Sequence, residues 1–70
     1  MKILKLSKEI YSSASVDNTI NAFNHLVVIK KTETQRTWNL IFIKCKYDEM
    51  RTIHEFENYL IGIENQNGHH

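Results

Sequence analysis

The amino-acid sequence predicts a small α+β domain of order β-α-β-β-α, with a three-stranded sheet carrying two helices on one face. Three observations lead there. The run Trp38-Asn39-Leu40-Ile41-Phe42-Ile43-Lys44-Cys45 is rich in β-branched and aromatic residues and free of Gly and Pro, which suits a strand better than a helix. Val16, Ile20, Phe23 and Val27 recur at helical spacing, as do Ile53, Phe56, Leu60 and Ile63, so two further segments each carry one apolar stripe. The chain of 70 residues holds a single core, and a domain of this size buries only about 60–65% of its unfolded surface. The expected domain spans 1–66, and 67–70 is a frayed tail. Its closing Gly68-His69-His70 reads as a purification-tag remnant and is set aside.

The first element is a short strand over Met1 to Leu6, in which Leu4 and Leu6 stand apart from Lys2 and Lys5. Lysines of this kind blunt an open sheet edge. Ser7 to Ala14 has no period, although Ile10 and Tyr11 are large enough to fold onto a core. Ser15 then suits an N-cap, with Asp17 in the first turn at the positive end of the helix dipole. Asn18, Asn21 and Asn24 form the polar face of that helix. Asparagine is a weak helix former, so packing must hold it.

Leu26 to Lys31 is the second strand, Thr32 to Arg36 a polar turn, and Trp38 to Cys45 the third. Both faces of the third strand are apolar, which places it in the centre of the sheet, in the order first, third, second. With the loop centred on Thr34, opposed residue numbers sum to about 68. Leu26 and Val28 then share a face with Trp38, Leu40 and Phe42, beneath the helices. Val27 and Ile29 share the opposite face with Ile41 and Ile43. Thr52 and Glu55 fit a capping box for the last helix. Tyr59 widens its stripe, and Gly62 lies at or near its last turn.

The totals exclude several classes of function. Lys and Arg number 9 against 8 Asp and Glu, a formal charge of +1. That gives little pull toward nucleic acid or an anionic membrane. Lys30, Lys31, Lys44 and Lys46 with Trp38 do not make a nucleic-acid patch, because one pair falls near the turn and the other at the far end of the hairpin. No apolar run is long enough to span a membrane, and no signal peptide opens the chain, so a cytoplasmic location is expected. His25 and His54 have no ligand neighbours at metal-binding spacing. Cys45 has no activating base in sequence, and no Gly-rich phosphate loop exists. Glu49, Glu55 and Glu57 read as a solvated helix face. The chain is therefore expected to be no enzyme, with no catalytic, cofactor-binding or metal-binding residue and no cofactor.

Leu6-Ser7-Lys8-Glu9-Ile10-Tyr11-Ser12 and Glu55-Phe56-Glu57-Asn58-Tyr59-Leu60-Ile61 together resemble the HxsD-like proteins, the small accessory family of the His-Xaa-Ser system. The similarity runs from about Lys5 to Ile63 in order and spacing. It implies a non-catalytic accessory or peptide-recognition protein, whose partners are a radical-SAM enzyme and the precursor of a ribosomally made peptide. The chain has 1 cysteine and so lacks the cluster-binding cysteines of such an enzyme. Any radical chemistry would belong to the partner.

The apolar residues assigned to the second sheet face have no helix of this chain to cover them. Val27, Ile29, Ile41 and Ile43 are therefore the expected partner interface. A self-associating regulator, antitoxin-like or a phage-encoded inhibitor, would use the same face for a homodimer.

Overall fold

In the computed structural model, which describes residues 2–67, the chain runs β1 (Lys2–Ser7), α1 (Ser13–Ala22), β2 (Val27–Glu33), β3 (Thr37–Cys45) and α2 (Glu49–Asn67). The strands form one antiparallel sheet in the order β1-β3-β2. This is the expected α+β architecture, with β3 in the centre. Of the expected tail at 67–70, Asn67 belongs to α2 instead, which it closes, and 68–70 lie outside the described residues.

Both helices pack on one face. Leu6 from β1 and Trp38, Leu40 and Phe42 from β3 meet Val16 of α1, Phe23 at its C-cap, and Ile53, Phe56 and Leu60 from α2. Phe56 is the hub of this core. Its ring stands edge-on to Phe42 below and to Phe23 beside it, each at 5.3 Å between centroids, and Tyr59 meets Phe23 at 5.7 Å. Such edge-to-face pairs add about 0.5–1.5 kcal/mol beyond the area they bury. Trp38 lies in the same layer. Its indole N–H donates to the Tyr11 carbonyl at 3.1 Å, and the Lys8 and Lys31 ammonium groups lie 4.4 and 5.2 Å from its ring.

The helix starts differ from expectation. Ser12, not Ser15, caps α1: it has extended backbone, and its hydroxyl accepts from the Ser15 N–H at 3.2 Å. Ser15 is fully buried inside the first turn, where its carbonyl accepts from the Thr19 hydroxyl. The Ser12 N–H is bonded by a residue of the other helix, donating to Glu64 Oε1 at 2.7 Å. The acceptor that a local capping box supplies three residues downstream thus comes from the end of α2. In α2, Asp48 takes the capping role expected of Thr52. Its carboxylate accepts from the Arg51 N–H at 2.9 Å, and the Thr52 hydroxyl donates back to the Asp48 carbonyl at 2.8 Å. Glu55 pairs with Arg51 at 3.4 Å rather than reaching a cap.

Candidate interaction surface

The register of the β2–β3 hairpin decides which side chains face away from the helices. Glu33 pairs with Trp38 and Thr32 with Asn39, so the loop centres between Gln35 and Arg36. The Thr34 hydroxyl closes it by accepting from the backbone N–H groups of Arg36 and Thr37 at 3.2 and 3.1 Å. This turn lacks the Asn-Gly or Asp-Gly signal that would have marked its centre in the sequence. Ile29 therefore meets Phe42, whereas a loop centred on Thr34 would oppose it to Asn39. An odd displacement turns every side chain of a strand to the other face.

The expected interface is corrected accordingly. Val27 is buried, at 4% exposure, in the core beneath the helices, and Ile29 packs against that core. Neither lies on the open face. Ile41 and Ile43 do, Ile41 half-buried and Ile43 exposed. Val28, assigned to the covered face, is exposed on the open one. It is joined there by Ile3, which pairs with Ile41 across β1 and β3. Ile3 was legible, because strict alternation with Leu4 and Leu6 puts it on the side away from the core.

A β-bulge completes the surface. Val28 opposes Lys44 and Ile29 opposes Phe42, leaving Ile43 as the extra residue on β3. The bulge breaks the alternation along that strand. Phe42 is buried, Ile43 and Lys44 are both exposed, and Cys45 turns back against the core. Without the bulge Lys44 would have pointed under the helices. The open face thus carries three exposed lysines, Lys5 on β1, Lys30 on β2 and Lys44 on β3. At the bulged end it runs into a hollow of about 230 Å³ lined by Asn24, His25, Val28, Lys44 and Lys46, among others.

Charge is unevenly divided between the layers. Asp17, Glu49, Glu55, Glu57 and Glu64 lie on the helices with one arginine, Arg51, whereas Lys2, Lys5, Lys30, Lys31 and Lys44 lie on the strands with one acid, Glu33. Lys8 and Lys31 reach carboxylates, Glu33 at 3.6 Å and Asp17 respectively. Lys5, Lys30 and Lys44 have no ion pair among the described residues.

Other chemistry is sparse. Among the described residues no group of three or more His, Cys, Asp or Glu is placed to hold a metal ion, and His25, in the turn between α1 and β2, and His54, on α2, are both exposed. Burial pushes the Cys45 thiol above its ordinary pKa, and the nearby Glu49 carboxylate acts in the same direction. That is the reverse of what activates a cysteine nucleophile. No helix among the described residues is long and apolar enough to cross a membrane. Comparison with protein-family models, with curated proteins and with solved structures finds no match to this chain.

Proposed function

We propose that the chain is a non-catalytic accessory protein that recognises a partner polypeptide through its open sheet face. The observation that carries this reading is the uncovered patch of Ile3, Val28, Ile41 and Ile43, opposite a face that both helices already cover. A sheet with one solvated face ordinarily alternates apolar-in with polar-out, and here the outward positions at the centre are aliphatic. A contiguous exposed apolar patch marks an interaction surface. The resemblance to the HxsD-like family supplies the partner class, a radical-SAM enzyme, its precursor peptide, or both.

The test is calorimetric titration of the chain with an anaerobically prepared radical-SAM enzyme of such a system, and separately with its precursor peptide. Binding is expected for the wild type and loss of it for Ile41→Lys and Ile43→Lys, with the far-UV spectrum unchanged in both. Binding that both variants retain moves the interface off the sheet.

A further inference from the structure

We infer that the open sheet face takes an acidic amphipathic helix of its partner, seated along β3 with carboxylates meeting Lys5 and Lys30 on either side. This rests on the reading of that face as the recognition surface, and it adds the chemistry of what binds there. Lys30, Ile41 and Ile3 form one row across the sheet, with Ile41 in the middle; Lys5, Asn39 and Thr32 form the next. Ile41 and Ile43 follow the central strand, Ile3 and Val28 extend the aliphatic patch onto β1 and β2, and Lys5 and Lys30 stand on the two edge strands at either side. Two inter-strand spacings span about 10 Å, the width of a helix. Such a helix supplies the missing third layer on a sheet covered on one side only.

The sign of the charge selects the partner. Lys5 and Lys30 alone could be devices that protect sheet edges, but Lys44 stands on the central strand, turned outward by the bulge. Among the described residues none of these lysines has a carboxylate partner, although Lys8 and Lys31 do. A second copy docked face to face about a two-fold axis would set this all-basic surface against itself, which like-charge repulsion opposes. Single-stranded nucleic acid needs aromatic platforms, and Trp38 is on the covered face. An anionic membrane calls for a longer basic segment than three lysines provide.

The probe is a synthetic helical peptide of about five turns with a Leu/Ile stripe flanked by Glu, beside matched versions in which Glu becomes Gln or Lys. Binding to the full chain is followed by amide chemical-shift mapping and titration at low and high salt. The Glu peptide should shift the amides around Ile3, Ile41 and Ile43 and bind at least about tenfold tighter than the Gln peptide at low salt, with the gap closing as salt screens it. The Lys5→Glu/Lys30→Glu variant should reverse the preference toward the Lys peptide, and Lys5→Gln/Lys30→Gln should abolish it without disturbing the fold. Equal binding of all three peptides, lost in Ile41→Lys, overturns the charge selection and leaves the docking face standing. Shifts confined to the helices, or none with any peptide, overturn both. Tighter binding to phosphatidylserine vesicles or to a single-stranded oligonucleotide overturns the polypeptide partner, and sedimentation of the chain alone as a dimer that Ile41→Lys dissociates replaces it with a second copy.

Discussion

At the scale of single residues, Trp38 and Cys45 show how burial sets chemistry. Trp38 joins the packed layer between Leu6 and the helices, holds the Tyr11 carbonyl, and carries two lysines over its ring. Trp38→Ala should cost about 3–5 kcal/mol, against a total of about 4–10 kcal/mol for a domain of this length. Urea denaturation followed by far-UV circular dichroism should find the variant largely unfolded at 37 °C. Cys45 gives a pH-dependent test. Its pKa is raised in the folded chain, so folding favours the protonated thiol. That contribution is complete below the unfolded thiol's pKa of about 8.5 and is lost as pH rises through the higher folded value. Stability should fall as pH rises through that range, and Cys45→Ala should flatten the slope. Alkylation by iodoacetamide at mildly alkaline pH should run slower on the folded protein than on the unfolded chain.

At the scale of elements, α2 runs through Gly62 without a break, because its packing outweighs one weak residue. A Cβ at Gly62 meets nothing within 4 Å, and Gly is about 1 kcal/mol poorer than Ala inside a helix. Gly62→Ala should therefore stabilise the domain by about 0.5–1 kcal/mol, seen as a higher urea midpoint with an unchanged slope. Element order and strand order were legible from the stripes of α1 and α2 and the two-sided apolarity of β3, although the first stripe ran on to Val27, which opens β2 after a helix that ends at Ala22. Helix starts were not. Ser12, Ser13 and Ser15 compete for one cap, and the choice falls to Glu64, 52 residues away from Ser12. Asp48 and Thr52 compete in α2, and the hydroxyl of Thr52 is settled by bonding back into the turn. The interface was half legible for a similar reason. Ile41 and Ile43 follow from alternation on the central strand, but Val27 and Ile29 depended on a turn without glycine, and Lys44 on a bulge that no local residue type announces.

At the scale of the whole molecule, one apolar layer between sheet and helices must hold a small chain together, while the opposite sheet face, where Ile41 is only half-buried, contributes little to the free domain. The stability of such a chain is open to mass action. A partner that seats only on the folded form adds RT ln(1 + [L]/Kd), about 2.7 kcal/mol at a hundredfold excess over Kd. For a domain of this size each kcal/mol moves the midpoint by about 4–8 °C. Thermal unfolding with the acidic helical peptide at that excess should therefore rise by about 10–20 °C, a shift that high salt reduces. Ile41→Lys should leave the midpoint of the free chain nearly unchanged, because its side chain stands on the open face, and should erase the shift. A partner docking on the helices would give a shift indifferent to Ile41→Lys, and a fall in the free midpoint would mean that Ile41 supports the core. The same coupling predicts that a saturating partner restores helical signal to the Trp38→Ala variant, because closing the third layer offsets part of what the second has lost.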